Sequence, residues 1–229
     1  MADKDVITLS IPTNPTPPIP LLLLCDTSGS MAGTPIRNVN EAVGAFLERV
    51  REQKRVANLV DVCVIGFNQT TQVLQDWQNV NDTSLVTFQA GGGTDLAAAL
   101  ETSMKKIDNY METHIDPVSG TPTPILILIS DGYGGDISPI SPEIRSWVES
   151  GKMQLWVLAI KGYDMETIAE LTKGESVFEL SEERAYDFSD FFDLMATNVT
   201  ATANGTAVTF PNLHGTNLRR PNFAQWFQN

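Results

Sequence analysis

The stretch LLLLCDTSGSMAG, from Leu21 to Gly33, joins an apolar run to a cluster of hydroxyl groups. Its first five residues show no polar alternation, which is typical of a strand buried on both faces in a parallel sheet. The run ends at Asp26, and Ser28 and Ser30 follow at alternate positions. The sequence therefore predicts a buried strand that opens into a polar loop at the carboxyl edge of a sheet.

Buried strands and amphipathic helices alternate along the rest of the chain. Residues 59–67 and 70–77 predict two antiparallel strands joined by a short turn. Helical spacing of apolar residues begins at Thr34 and Pro35, which suit the N-cap and first helical positions. Further strands are predicted at 124–130, 155–160 and 177–180, and further helices after Thr94, around Ser141, from Asp164 and over 188–199. This order predicts an α/β protein with a doubly wound, mostly parallel sheet, helices on both faces and one antiparallel edge strand.

Three segments of different composition divide the chain. Residues 1–19 contain the alternating stretch VITLSI and then a proline cluster, which predicts an arm and a stiff spacer. Residues 20–200 carry the predicted sheet and helices and form the main domain, and residues 201–229 form a polar C-terminal extension. A basic and aromatic cluster in this extension either docks on a partner or packs back on the domain. Its members are Arg219, Arg220, Phe223, Trp226 and Phe227.

Composition and charge limit the classes of partner. The 229 residues carry 15 Lys and Arg against 28 Asp and Glu, which gives a net charge of −13. This charge repels nucleic acid phosphates and anionic lipid surfaces, so we expect cations or proteins as partners and neither nucleic acid nor membrane. No segment has the length of a membrane span, and the proline cluster before Cys25 interrupts the apolar region that a lipoprotein signal needs. We therefore expect a cytoplasmic protein in which Cys25 and Cys63 are packed thiols.

Two further loops bring oxygen-bearing side chains to the predicted carboxyl edge. The stretch GGGT ends at Thr94, and Asp131 follows the apolar strand at 124–130. Ligands of open α/β sheets bind outside the carboxyl ends of the strands, so the three loops are expected to share one crevice. Hydroxyls and carboxylates without Cys or His select Mg²⁺, with Ca²⁺ or Mn²⁺ as alternatives, over Zn²⁺. The predicted metal ligands are Asp26, Ser28, Ser30, Thr94 and Asp131.

This set of residues resembles the metal-ion-dependent adhesion site of von Willebrand factor A domains, whose motif is D-x-S-x-S with a distant Thr and a distant Asp. Asp26, Ser28 and Ser30 match the first element, Thr94 the second and Asp131 the third. The resemblance covers residues 20–199. It implies that the hydroxyls touch the metal directly and that the carboxylates act largely through water. It also implies a protein partner whose Glu or Asp carboxylate completes the coordination.

Within that family, the stretch LCDTSGSMAGTPIRNVNEAV and the one-domain build look like the bacterial tellurium-resistance type. In such systems the small A domain is typically encoded with a kinase and a phosphatase. The resemblance therefore implies a role in bacterial stress signalling, with a kinase or phosphatase as the partner. We expect the chain to be monomeric when it is not bound to that partner.

Each predicted ligand also has an ordinary structural role open to it. Ser28 and Ser30 could satisfy loop amides, Thr94 could cap a helix, and Asp131 could form a turn with Gly132. The enzymatic alternative is a Mg²⁺-dependent phosphatase with Asp26 as its nucleophile. That chemistry normally uses a second carboxylate two residues later, where this chain has a serine that cannot serve as a general acid. We therefore expect a binding protein and not an enzyme.

Overall fold

The computed structural model describes residues 17–114, 120, 122–206 and 213–224. Its strands are β1 (Ile19–Asp26), β2 (Val60–Phe67), β3 (Thr71–Asn79), β4 (Ile125–Ser130), β5 (Gln154–Ala159), β6 (Val177–Leu180) and β7 (Leu218–Arg219). Its helices are α1 (Thr34–Glu52), α2 (Lys54–Ala57), α3 (Leu96–His114), α4 (Ser141–Glu149), α5 (Met165–Thr172) and α6 (Ser189–Ala203). Within these residues, no helix combines the length and the apolar character needed to cross a membrane.

The strands form one sheet in the order β3-β2-β1-β4-β5-β6-β7. Strand β1 pairs in parallel with both β2 and β4, and the parallel pairing continues through β5 to β6. The doubly wound, mostly parallel sheet predicted from the sequence is confirmed. Strand β3 is antiparallel to β2, as predicted. The sequence did not predict β7, a two-residue strand that pairs antiparallel with β6 at the other edge.

Alternate side chains of each central strand enter two separate cores, because successive residues of a strand point to opposite faces. Leu21 and Leu23 of β1 belong to the core that contains Phe46 of α1 and Phe191 of α6. Leu22 and Leu24 belong to the core that contains residues of α3, α4 and α5. The buried thiols fit this scheme: Cys25 and Cys63 are free, buried and on opposite faces, and burial raises the pKa of Cys63 to about 12.

The order of the strands reverses at β1. The chain passes from β1 outward to β2 and β3 and then returns to β4 on the other side. Such a switch point leaves a crevice at the carboxyl ends of the two central strands, where the loops turn away in opposite directions. Asp26 ends β1 and Asp131 follows β4, so the fold places both carboxylates at this crevice.

The start of α1 differs slightly from the prediction. Thr34 is the first helical residue, and Gly33 occupies the N-cap with φ of 84°. Glycine adopts positive φ without steric cost, so it allows the polar loop to turn sharply into the helix. Pro35 lies in the first turn, where the N–H group that proline lacks would have no helical partner.

Part of the C-terminal extension packs on the domain. Leu218 is buried in the core between the sheet, α1 and α6. Phe223 is buried in the core on the opposite face, so this segment crosses the edge of the sheet. Arg220 lies over the ring of Phe178, with 5.8 Å from its guanidinium carbon to the ring centroid.

A buried asparagine connects the extension to the domain. Asn217 is 2% exposed, and its backbone N–H donates to Asp190 Oδ2 at 2.6 Å. Its side-chain amide donates to the carbonyls of Arg184 and Asp187 at 2.9 and 3.0 Å. Its side-chain oxygen accepts from Ser181 Oγ at 2.6 Å. Asn217 therefore joins the segment before α6 to the strand that ends the sheet.

We expect Asn217→Ala to lower the free energy of unfolding by about 2 kcal/mol, because it leaves a hydroxyl and two carbonyls without their partner. Urea denaturation followed by circular dichroism measures the change. Asn204→Ala, an exposed position at the end of α6, is the matched control and should change stability by less than about 0.5 kcal/mol. Equal effects of the two substitutions would contradict the role assigned to Asn217.

Candidate metal centre

Asp26 lies at the bottom of the crevice between β1 and β4. Its side chain is fully buried. Oδ1 accepts from the backbone N–H of Ser28 at 2.7 Å, and Oδ2 accepts from Ser130 Oγ at 3.3 Å. Both oxygens are thus oriented by neighbours from the first loop and from β4.

The first and third loops meet through hydroxyl groups. The hydroxyl oxygens of Ser28 and Ser30 are 2.9 Å apart. Ser30 Oγ then donates to Asp131 Oδ2 at 3.1 Å, across 101 residues of sequence. Ser28 is buried, Asp131 is half-buried and Ser30 is exposed, so this chain of oxygen atoms runs from the interior to the surface.

Thr94 lies on the second loop, which is hydrogen-bonded to both of the others. The N–H of Gly91 donates to the Thr27 carbonyl at 2.8 Å, and the N–H of Gly29 donates to the Gly92 carbonyl at 3.0 Å. On the other side, the N–H of Leu96 donates to the Gly134 carbonyl at 2.8 Å. The structure therefore brings the loops that carry all five predicted ligands into contact.

The contact between the second and third loops leaves no room for a side chain at position 134. A Cβ atom there would lie 2.6 Å from the carbonyl oxygen of Thr94 and 2.9 Å from its Cβ. Gly134 also has φ of +108°, a conformation that other residues rarely adopt. The backbone approach that places Thr94 beside the third loop thus requires glycine.

Two side chains of helix α1 are hydrogen-bonded to the backbone of the second loop. The side chain of Asn40 donates to the Phe88 carbonyl at 3.0 Å and accepts from the Phe88 N–H at 2.7 Å. The guanidinium of Arg51 donates to the carbonyls of Val80 and Thr83 at 2.7 and 2.6 Å. These contacts fix the irregular segment between β3 and α3 that ends at Thr94.

Two of the ordinary structural roles do not apply in this structure. Ser28 precedes a short 3₁₀ turn, Gly29–Met31, but its hydroxyl makes no capping hydrogen bond to that turn. Helix α3 is capped by Asp95, whose Oδ1 accepts from the N–H of Ala98 at 3.0 Å, and not by Thr94. Asp131 does form a turn, since its Oδ1 accepts from the N–H of Tyr133 at 3.1 Å.

Burial raises the pKa of Asp26, and the negative charge of Asp131 raises it further. Hydrogen bonds from Ser28 and Ser130 lower the same pKa and so oppose part of that shift. The ionised form of Asp26 is therefore costly in the protein alone. A cation in the crevice would offset that cost, because an opposite charge favours the ionised carboxylate.

Sequence reasoning missed Ser130. This residue is fully buried at the end of β4, donates to Asp26 Oδ2 and accepts from the N–H of Gly132 at 3.0 Å. A hydroxyl at the end of the apolar run ILILIS was the available signal, since a buried hydroxyl requires a partner. Ser130 orients Asp26 and joins the first loop to the third.

The donor set fits a hard divalent cation. It combines two carboxylates with three hydroxyls and contains no sulfur or imidazole, which is the chemistry suited to Mg²⁺, Mn²⁺ or Ca²⁺. In the part of the chain that the structure describes, no three His, Cys, Asp or Glu side chains group closely enough to hold a metal by themselves. Any metal in this crevice would therefore depend on the hydroxyl groups.

The chain thus forms an α/β domain with a doubly wound sheet, and oxygen-bearing side chains gather at the switch point, the place where ligands of such sheets bind. The sequence model of the von Willebrand factor type A domain matches residues 21–199. The chain belongs to this family.

Solved structures of low sequence identity share the fold. The pilus adhesin SpaC of Lactobacillus rhamnosus GG, in an open conformation, matches with a TM-score of 0.61 and 15% identity over 82% of this chain and 30% of SpaC. The vWF domain of the type V pili tip protein Mfa5 of Porphyromonas gingivalis matches with a TM-score of 0.59 and 10% identity, over 85% of this chain and 99% of that domain. Manganese-loaded TRAP of Plasmodium vivax matches with a TM-score of 0.50 and 17% identity, over 69% and 63% of the two chains. This chain thus spans less than a third of the length of SpaC.

Proposed function

We propose that this protein is a metal-dependent protein-binding module. Asp26, Ser28, Ser30, Thr94 and Asp131 hold a divalent cation, and a carboxylate of a partner protein completes its coordination. The observation that supports this proposal is the convergence of the three loops at the switch point, with Ser30 within hydrogen-bond distance of both Ser28 and Asp131.

The exposure of the five side chains supports an open side of the site. Asp26 and Ser28 are buried, Thr94 and Asp131 are half-buried, and Ser30 is exposed. A cation held on this set would be covered from the sheet side and reachable from solvent on the other. Because three of the five donors are neutral, the bound ion supplies a positive charge that attracts an anionic group from outside.

Mg²⁺ is the ion we propose, with Ca²⁺ or Mn²⁺ as alternatives. The mixed set of hydroxyls and carboxylates suits all three of these hard cations. Among proteins of similar fold, TRAP was solved with manganese.

Binding without catalysis agrees best with the surroundings of Asp26. A phosphatase nucleophile must reach a phosphorus atom, but this carboxylate is fully buried and both of its oxygens accept hydrogen bonds. The residue two positions later, Ser28, provides no general acid. We therefore propose that the protein is not an enzyme.

The proposed pathway rests on the sequence alone. The resemblance to the tellurium-resistance type supports a role in bacterial stress signalling, with a kinase or phosphatase of the same system as the partner and a cytoplasmic location. A pull-down with and without EDTA, from cells of the source organism, tests this proposal.

The double variant Ser28→Ala and Ser30→Ala should lower Mg²⁺ or Mn²⁺ affinity by more than about 100-fold. Loss of outer-shell partners alone typically costs about 10- to 100-fold, and these hydroxyls are proposed as direct ligands. Isothermal titration calorimetry with each ion measures the change. In the Mn²⁺-loaded wild type, enhanced relaxation of water protons should report an open coordination position, and a short glutamate peptide should reduce that enhancement.

The double variant Ser146→Ala and Ser150→Ala is the control, since both residues are exposed and lie at the end of α4, outside the three loops. It should bind Mn²⁺ as the wild type does. Wild-type affinity in the Ser28 and Ser30 variant would refute the proposed ligand set. A Mn²⁺-loaded protein without enhanced water relaxation would refute the open position.

A further inference from the structure

A groove runs between the first half of β3 and the second loop, beside the proposed metal crevice. Gln72 and Leu74 line it from β3, and Thr87 and Gln89 line it from the second loop. Its volume is about 240 Å³, which is below the range of about 300–1,000 Å³ that is typical of small-molecule sites. The groove is therefore suited to a few side chains of a peptide segment rather than to a drug-sized ligand.

The floor of the groove adjoins the first loop. Thr27 lines it together with Gly66 of β2, and Thr27 stands between the proposed ligands Asp26 and Ser28. The Thr27 carbonyl accepts from the N–H of Gly91 at 2.8 Å, so the loop that forms one wall is joined to the loop that carries three of the proposed ligands. A partner segment that places a carboxylate on the metal can therefore continue into the groove.

The floor of the groove is apolar. A Cβ atom at position 66 would lie 3.2 Å from Leu74 Cδ1 and 3.3 Å from Thr27 Cγ2, so glycine leaves the space that forms the bottom of the groove. Leu74 is 37% exposed and contributes accessible apolar surface. An apolar floor between polar walls has the anatomy of a protein interface, in which an apolar centre is surrounded by a polar rim.

The polar side chains of the walls are available to a partner. Within the described part of the chain, the side chains of Gln72, Thr87 and Gln89 make no hydrogen bond. Each glutamine amide offers two N–H donors and a carbonyl acceptor, and the threonine hydroxyl can both donate and accept. The walls can therefore pair with the backbone of a peptide and with amide or hydroxyl side chains on it.

The groove differs in charge from the other side of the crevice. The described residues, which leave out residues 1–16 of the predicted arm, contribute only neutral side chains to the groove, although the whole chain has a net charge of −13. The third loop, in contrast, carries Asp131 and the exposed Asp136. A partner segment that brings a carboxylate would be repelled by these acids, so the neutral side of the crevice is the favourable place for it.

A charged side chain in the groove would lose hydration without gaining an ionic partner, which is costly, whereas an amide or hydroxyl side chain would find hydrogen-bond partners there. We infer that the groove is a second contact site for the partner and takes asparagine, glutamine, serine or threonine residues next to the carboxylate that binds the metal. This inference rests on the proposed function. The metal provides affinity for the carboxylate, and the groove selects among acidic segments.

Peptide arrays probed with the full-length, Mn²⁺-loaded protein test this inference. Each peptide carries one central glutamate, flanked by neutral polar residues, by Lys and Arg, or by Asp and Glu. Peptides with neutral flanks should bind about tenfold more tightly than the others, the expected effect of leaving one desolvated group unpaired, and EDTA should abolish the binding. Gln72→Lys places a charge in the wall and should remove this preference without changing the affinity for Mn²⁺, measured by calorimetry. Gln78→Lys is the matched control, since Gln78 is an exposed glutamine of the same strand outside the groove.

The outcomes separate the groove from the metal site. A preference for neutral flanks that Gln72→Lys loses and Gln78→Lys keeps supports the inference. Tightest binding of basic flanks would show that the acidic third loop selects the partner, and it would overturn the inference. Equal binding of all flanks, or an unchanged preference in Gln72→Lys, would also overturn it, while Mn²⁺-dependent binding of glutamate would leave the proposed function standing. If no peptide binds in an Mn²⁺-dependent way, the proposed function fails together with the groove.

Discussion

Gly134→Ala is expected to destabilise the protein by about 3 kcal/mol or more, a loss at the upper end of single-residue effects. The added Cβ would lie 2.6 Å from the Thr94 carbonyl oxygen, and backbone atoms cannot move aside as a flexible side chain can. The positive φ adds strain for any residue with a Cβ. Moving the third loop away from Thr94 would separate the proposed ligands, so we also expect the affinity for Mn²⁺ to fall by at least tenfold.

Urea denaturation and calorimetry with Mn²⁺ measure the two effects. The matched control is Gly91→Ala, since a Cβ at that glycine would meet no atom within 4 Å. Gly91→Ala should change stability by no more than about 1 kcal/mol and leave metal binding intact. If alanine at position 134 is tolerated as well as at 91, the close approach of the second and third loops is wrong.

Asp26→Asn is expected to abolish measurable Mg²⁺ binding and yet to stabilise the metal-free protein at pH 7. Asparagine has the shape of aspartate and can still accept from the N–H of Ser28, so the packing at the end of β1 is retained. The substitution removes a carboxylate that is fully buried without a basic partner in the structure described. In EDTA we expect a gain of about 1 kcal/mol, the ordinary size of a single-residue effect.

The raised pKa of Asp26 determines how the difference in stability between Asp26→Asn and the wild type should change with pH. The pKa of Asp26 is raised in the folded protein, so its contribution to stability is complete below the unfolded pKa and is lost as pH rises through the folded pKa. In EDTA, the advantage of Asp26→Asn over the wild type should therefore shrink as the pH is lowered from 7. Unfolding curves of both proteins at several pH values measure it. A constant difference, or a variant that binds Mg²⁺ normally, would contradict the prediction.

The regular elements could be predicted because each has a local pattern. The continuous apolar run from Leu21 to Cys25 predicts a doubly covered strand, and β1 is indeed buried along its whole length. The apolar spacing after Thr94 predicts α3, which begins at Leu96. The alternation of strands and helices predicts the parallel sheet, because two parallel strands joined by a helix are almost always connected by a right-handed crossover.

The candidate ligands could be named from the sequence for a related reason. The carboxyl ends of parallel strands share one edge of the sheet, so residues that directly follow those strands become neighbours whatever their separation in the chain. Ser30 and Asp131 meet in this way at 3.1 Å. Their role in metal binding stays a prediction until an ion is measured on them.

The sequence by itself determined the class of the sheet, its buried first strand and the edge at which polar loops gather, since hydrophobic periodicity is a local property of the chain. Only the tertiary structure decided how the loops are held. The requirement for glycine at 134, the hold of Asn40 on Phe88 and the pairing of Leu218 with β6 all join residues distant in sequence. Such contacts depend on the shape of the folded backbone, and no periodic pattern along the chain encodes them.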